Sequence, residues 1–231
     1  MKTLDLKQGT PEWLAARRGV VTASEADALL TPLFKARTGE GVETYLYRKL
    51  AEKLLGWSPE DLRPGGGFSS FAMEQGNVVE TIARPWFAFQ YNCEVKAVGF
   101  CLSDDGRVGC SPDGLIGDDC GLELKAPQPP THLRYLIANE LPPEYAVQVH
   151  FSMFATGRPR WMFASYSRQF DPLVIEVKRD GAIQAKIAAA VAAFYEKFDA
   201  LYAKFKSQQD VENERKTAEY YASLPPVGAA K

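Results

Sequence analysis

Asp113, Glu123 and Lys125 are the residues of this chain whose types and spacing best suit catalysis. They fall in Ser111-Pro112-Asp113-Gly114-Leu115 and, after the turn Gly117-Asp118-Asp119-Cys120-Gly121, in Gly121-Leu122-Glu123-Leu124-Lys125. This pattern reads as a tight β-hairpin. Side chains alternate faces along a strand, so Glu123 and Lys125 point the same way while Leu124 points into a core. The turn folds the first strand back so that Asp113 faces them. Two carboxylates and one ammonium converging on a point suit a Mg²⁺-dependent phosphodiester hydrolase. Hard oxygen ligands hold the metal, and the lysine orients or deprotonates the attacking water. Chance alone puts a Pro-Asp followed by a nearby carboxylate-x-Lys in roughly one chain in ten. The plain alternative is a polar hairpin with a surface Glu–Lys pair worth about 0–1 kcal/mol.

Other segments carry polar groups in apolar settings. Glu80 lies in Gly76-Asn77-Val78-Val79-Glu80-Thr81-Ile82-Ala83, where a carboxylate at the core boundary is costly unless paired or near a metal. The alternative is a solvated helix glutamate. Gln148, within Tyr145-Ala146-Val147-Gln148-Val149-His150-Phe151, must find hydrogen-bond partners, either a catalytic water or a core network. His150 reads as a satisfied core histidine. Arg17 and Ser24 flank Arg18-Gly19-Val20-Val21-Thr22-Ala23, joining a guanidinium to a helix-opening hydroxyl; both favour phosphate. Taken alone, the plainer reading, an N-cap serine and a surface arginine, is the better one.

The elements that must position these residues are those of one soluble globular chain. Its 231 residues suffice for a sizeable core, and 46% apolar with 24% charged residues is ordinary composition. No run of eighteen apolar residues exists, and the N-terminus lacks an apolar signal core, so the expectation is a cytoplasmic protein with no membrane span. Cys93, Cys101, Cys110 and Cys120 form no C-x-x-C pair and only two histidines are present, which reads as reduced core thiols rather than a zinc site. The net charge of −2 argues against coating DNA with the whole surface. Residues 1–56 hold nine Lys/Arg against seven Asp/Glu, a slight excess that fits solvated helix faces as well as a DNA track, so a DNA site would be a local, concave patch.

Periodicity and turn signals place a helix at Pro11–Arg18, capped by Thr10, then a short helix through Leu30 and a third over Gly41–Leu55. A Gly/Pro-rich loop occupies Trp57–Ser70, followed by a long helix over Phe71–Tyr91, bent or broken near Pro85. Strands are expected at Val95–Leu102, Arg107–Cys110, Arg160–Tyr166 and Leu173–Val177, besides the hairpin. Helices are expected at Pro129–Ala138 and Pro143–Ala155, from Asp180 through Phe205, and over Val211–Ala222. The expected fold is α/β (α+β), a central mixed β-sheet flanked by helices. Residues 1–224 make one domain, and 225–231 a disordered tail.

Taken together, Trp13, Arg17 to Ser24, Gly76 to Glu80, Ser111 to Leu115, Gly121 to Pro127 and Gln148 to Met153 resemble the lambda exonuclease family in order and approximate spacing. That family comprises phage recombination alkaline exonucleases of the PD-(D/E)xK class, and the resemblance covers roughly residues 8–205. It implies a restriction-endonuclease-like core and a 5′→3′ exonuclease that degrades one strand of linear duplex DNA. The product is a 3′ single-stranded overhang for a single-strand annealing recombinase. It also implies a toroidal homotrimer, double-stranded DNA with 5′-phosphorylated ends as substrate, and a phage or prophage protein acting in the bacterial cytoplasm.

By the same resemblance, Asp113, Glu123 and the Leu124 carbonyl hold one Mg²⁺, and Asp113 bridges to a second with Glu80 near it. Mn²⁺ is a substitute metal. Lys125 orients the water, supported by Gln148. Arg17, Ser24 and Ser111 bind the 5′-phosphate, and Met73 is either the strand-separating wedge or core. Lys35 and Arg37 are assigned to the incoming duplex. The family's additional aspartate falls near Ser103–Asp105, with Asp104 the nearest equivalent. Two other readings remain: a nicking or structure-specific endonuclease on the same core, and a catalytically inactive DNA-binding or recombinase-loading subunit.

Overall fold

Two short mixed assemblies of strands, joined by one apolar helix, position the hairpin. The structure is a computed structural model describing residues 1–56 and 82–223, with side chains described through residue 217. It divides into two compact units, Met1–Val191 and Ala192–Lys231.

In the first unit, the order is β1 (Lys2–Leu4), α1 (Pro11–Arg17), β2 (Val21–Thr22), a 3₁₀ turn (Ala23–Ala28) and α2 (Glu40–Leu55). Helix α3 covers residues 82–90 among those described. There follow β3 (Val95–Lys96), β4 (Phe100–Leu102), β5 (Val108–Cys110), β6 (Gly114–Ile116), β7 (Cys120–Lys125), α4 (Pro129–Ala138) and α5 (Pro143–Thr156). Strands β8 (Arg160–Ser165) and β9 (Leu173–Lys178) precede α6 (Gly181–Ser223), within which the boundary between the units falls.

The strands form a four-stranded sheet, β1-β4-β5-β2, and a five-stranded sheet, β3-β6-β7-β8-β9. Each contains one parallel pair, β2 with β5 and β7 with β8. The mixed α+β class expected from the sequence stands, with the strands divided between two sheets. The expected strand Val95–Leu102 is two strands, one in each sheet. The break falls at Gly99, where a Cβ would lie 1.9 Å from the Leu6 carbonyl oxygen, so the chain there must be glycine. Strand β1 had no sequence signal, because its exposed residues do not alternate.

Strand β7 is the centre of the larger sheet. Leu122 and Leu124 point to one face and pack with Ala83 and Phe87 of α3 and with Ala164 of β8. Glu123 and Phe163, directly paired across β7 and β8, share the opposite face. There the Phe163 ring lies 5.3 Å from that of Tyr145 at the start of α5. Helix α5 is apolar nearly all round, with Val147, Val149, Phe151, Met153 and Ala155 buried, which is the pattern of a core helix. It packs against β4, β5 and the 3₁₀ turn as well as β8, and so connects both sheets. His132, fully buried on α4, ties that helix to the sheet through Ser165 Oγ at 2.7 Å and the Asp171 carbonyl at 3.0 Å.

Helix α6 continues to Ser223, where the sequence suggested one helix ending at Phe205 and another from Val211. The polar stretch between them contains no Gly or Pro to end a helix, so the change in polarity does not interrupt the backbone. In the second unit, Phe194, Tyr195, Phe198 and Tyr202 form successive ring contacts along this helix. All four cysteines are free. Among the described residues, no helix is long and apolar enough to cross a membrane.

Candidate active site

The β6–β7 hairpin brings four of the sequence-selected residues to one point. Its register pairs Gly114 with Leu122 and Ile116 with Cys120, leaving a three-residue turn whose Gly117 has φ +52°. A left-handed conformation there suits glycine. The buried Arg158 fastens this turn by donating to the Gly117 and Cys120 carbonyls at 2.9 and 2.7 Å. Just before β6 begins, the Asp113 side chain replaces the missing strand partner. Its Oδ2 accepts from the Leu124 N–H at 2.5 Å, while the Asp113 N–H donates to the Leu122 carbonyl at 3.0 Å.

Glu123 is 3% exposed and Asp113 7%. Buried carboxylates persist only with strong partners. Glu123 Oε1 receives Lys125 Nζ at 2.5 Å and Gln148 Nε2 at 2.6 Å. Gln148 thus finds its partner across the gap between α5 and β7. Burial by itself pulls the Lys125 ammonium down, but the charges of Glu123 and Asp113 outweigh it and raise the group above its usual pKa. Lys125 Nζ also lies 5.1 Å from the Tyr145 ring centre. Arg84 of α3 donates to the Asp113 carbonyl at 2.7 Å, an anchor with no sequence signal beyond a charge on an apolar helix.

This donor set fits a hard divalent cation. Asp113 and Glu123 supply buried carboxylate oxygens. The Lys125 carbonyl accepts from Tyr166 on the β8 side, so the alternating Leu124 carbonyl points the other way, towards Asp113. Glu80, assigned to the same metal site, and Met73, assigned as a wedge, both lie outside the described residues.

A second cluster forms at the N-terminal side of Asp113. Thr10 caps α1 by accepting from the Trp13 N–H, and Pro11 opens it. Helix α1 carries Trp13 and Arg17 on one face, one turn apart. The Arg17 guanidinium lies 4.3 Å from the Trp13 ring centre and donates to Ser24 Oγ at 3.0 Å, Thr22 Oγ1 at 3.3 Å and Ser111 Oγ at 3.4 Å. Trp13 Nε1 holds Ser111 Oγ at 2.9 Å. The structure therefore joins Arg17, Ser24 and Ser111, three residues from distant parts of the sequence. Burial lowers the Arg17 pKa, partly offset by Glu25, Tyr45 and Glu52.

Three sequence-selected residues stand apart from both clusters. Lys35 is exposed on the loop after Thr31, and Arg37 donates to the Leu30 carbonyl at 3.2 Å. Asp104 sits on the β4–β5 turn, at the end of β5 remote from Ser111, paired with the N-terminal amine at 2.7 Å. It does not join Asp113 and Glu123. Thr22, Glu25 and Lys49 were missed as parts of the site. Thr22 and Glu25 are close to Ser24 along the chain, whereas Lys49 and Glu52, three residues apart on α2, carry no signal of their own and are buried.

The YqaJ-like viral recombinase domain matches residues 12–159, the span that contains both clusters. The chain belongs to this family. LHK-Exo, an alkaline exonuclease from Laribacter hongkongensis, has a similar structure, with a TM-score of 0.74 and 28% identity over 87% of this chain and 98% of its own. The same protein in complex with dAMP matches at 29% identity with the same coverage and TM-score. A phage-related exonuclease from Haemophilus somnus 129PT, at 12% identity and a TM-score of 0.51, covers 88% of this chain and 97% of its own and shares the fold alone. No curated protein matches the chain significantly. The matches agree with the alkaline exonuclease resemblance drawn from the motifs, and with its mixed α+β fold.

Proposed function

We propose that this chain is a Mg²⁺-dependent nuclease that degrades linear duplex DNA from its 5′ ends. It works 5′→3′ on one strand and leaves a 3′ overhang for a strand-annealing partner. The observation that carries the reading is the buried Glu123 held between Lys125 and Gln148, beside Asp113. A carboxylate kept dry and oriented by two donors is preorganised for a cation and a water rather than for surface solubility. Family membership and the likeness to LHK-Exo support the same reading.

Asp113, Glu123, the Leu124 carbonyl and Glu80 would hold the metal ions, with Mn²⁺ a workable substitute. Bound ions would stabilise the attacking and leaving oxygens of an in-line displacement. Lys125 holds the water through its ammonium, and Gln148 fixes Glu123 against rotation. Arg17, Ser24 and Ser111 take the terminal phosphate, where a guanidinium and hydroxyls provide several donors. Ser111 and Asp113 are two residues apart, at most about 7 Å along the chain. A phosphate held at Ser111 thus leaves the neighbouring phosphodiester beside Asp113. A homotrimeric ring would keep such an enzyme on its substrate without a strongly basic surface.

The test is end-labelled linear duplex with Mg²⁺, comparing 5′-phosphate, 5′-hydroxyl and closed circular forms. Release of mononucleotides, fastest from 5′-phosphorylated ends, is expected. Cutting of closed circles at a similar rate would replace the exonuclease reading with an endonuclease. No hydrolysis of any form would leave only a DNA-binding role.

A further inference from the structure

Arg17 is surrounded in a way that keeps it available. Among the described residues its side chain bonds only to hydroxyls, those of Thr22, Ser24 and Ser111, and stacks on Trp13. A guanidinium ordinarily seeks a carboxylate, which matches its fork with two charge-assisted bonds. Two such groups are near enough for their charges to bear on Arg17, namely Glu25 and Glu52. They share with Arg17 the wall of a cavity of about 160 Å³. That space gives the arginine somewhere to turn.

Both carboxylates are already engaged. Lys49 Nζ lies 2.9 Å from Glu25 Oε2 and 3.0 Å from Glu52 Oε2, and its side chain is 3% exposed. Arg48 holds the other Glu25 oxygen at 2.8 Å. Thr22 and Tyr45 donate to Glu25 Oε2 at 2.9 and 3.3 Å, and the Gly19 N–H donates to Glu52 at 3.0 Å. An ammonium suits this task, since a compact charge with three donors serves two carboxylates at once.

We propose that Lys49 is a positioning residue for recognition of the DNA end: by occupying Glu25 and Glu52 it keeps them from capturing Arg17. The inference rests on Arg17 reading a 5′-phosphate, as set out above. Without Lys49, the released carboxylates pair with Arg17 across the cavity. A terminal phosphate must then displace a carboxylate instead of a hydroxyl.

The experiment measures the ratio of degradation rates on 5′-phosphorylated and 5′-hydroxyl duplex. It compares the full-length wild type, Lys49→Met, Glu25→Gln and the double variant, with folding followed by circular dichroism. Losing a hydrogen bond to a charged group costs roughly ten- to hundred-fold, so Lys49→Met is expected to lower the ratio by about tenfold or more. Adding Glu25→Gln removes one of the two capturing carboxylates and is expected to restore part of the ratio. A purely structural role for Lys49 gives no such rescue, and failure of rescue overturns the inference. An unchanged ratio in Lys49→Met overturns it too, while leaving the end-reading intact. Equal wild-type rates on both ends remove the end-reading and this inference with it. If Lys49→Met does not fold, Glu25→Gln alone decides: the ratio is expected to hold or rise, and a fall means that Glu25 holds Arg17 in place.

Discussion

The carboxylate hairpin and the Arg17 pocket meet at Ser111-Pro112-Asp113, yet they are held in opposite ways. The hairpin concentrates its chemistry in thirteen consecutive residues, Asp113 to Lys125, with Gln148 reaching in from α5. Its carboxylates accept directly from donors of the same hairpin: Glu123 from the Lys125 ammonium, and Asp113 from the Leu124 N–H. The pocket gathers residues from α1, β2, the 3₁₀ turn and the end of β5, with α2 behind them. Among the described residues its cation bonds to hydroxyls alone, while the nearby carboxylates are engaged elsewhere. One region holds a dense set of opposed charges and the other keeps a cation apart from them. A metal site needs concentrated negative charge, whereas an anion site needs its positive charge uncommitted.

From that contrast, breaking the hairpin is expected to impair chemistry on every substrate. Lys125→Ala or Asp113→Asn is expected to lower hydrolysis by about 10²–10⁴-fold on 5′-phosphate and 5′-hydroxyl ends alike. End-labelled duplex assays check it, with thermal melting confirming the fold. A loss confined to 5′-phosphorylated ends would move these residues out of the chemical step.

Breaking the pocket should instead act selectively. Arg17→Lys keeps the charge but loses the planar fork and the stacking on Trp13. The ratio of rates on 5′-phosphorylated and 5′-hydroxyl ends is expected to fall about ten- to hundred-fold. Equal losses on both ends would show that the pocket serves general DNA binding rather than the terminal phosphate.

The same contrast explains what could be read from the sequence. Hairpin geometry follows from a period of two, so the sequence itself puts Glu123 and Lys125 on one face and Leu124 in the core. Gln148 was marked by being polar within an apolar helix. In the pocket, Arg17 and Ser24 had a local signal as phosphate-favouring groups, but Ser111 joined them through resemblance alone, because nothing local relates Ser111 to Arg17 across 94 residues. Lys49 and Glu52 were invisible for a different reason. Three residues apart on a helix, they look like a solvated pair, and only the packing of α2 beside the turn at Gly19 buries them. Similarly, Asp104 was chosen by distance along the chain, but β5 runs between it and Ser111 and carries it away from the hairpin.

The smallest effect expected is one of stability, and it tests whether the charges behind Arg17 are coupled as the geometry indicates. Burial alone would raise the Glu25 carboxyl, but the charge and hydrogen bond of Lys49, then Arg48 and Arg17, hold it below the ordinary carboxylate value of 4.5. A lowered pKa in the folded chain means that the stabilisation is fully present above the unfolded value. It disappears as the pH falls through the folded one. Glu25 is 26% exposed, so solvent screening limits the contribution to about 1 kcal/mol or less. Melting temperatures measured from roughly pH 7 down to pH 3 should therefore fall less steeply at the acid end in Glu25→Gln than in the wild type. Near neutral pH the variant should be slightly the less stable, because Lys49 keeps Glu52 but loses Glu25 as a charged partner. Identical acid limbs would mean that Glu25 gains nothing from Lys49 on folding, and would remove the electrostatic basis for Lys49 holding carboxylates away from Arg17.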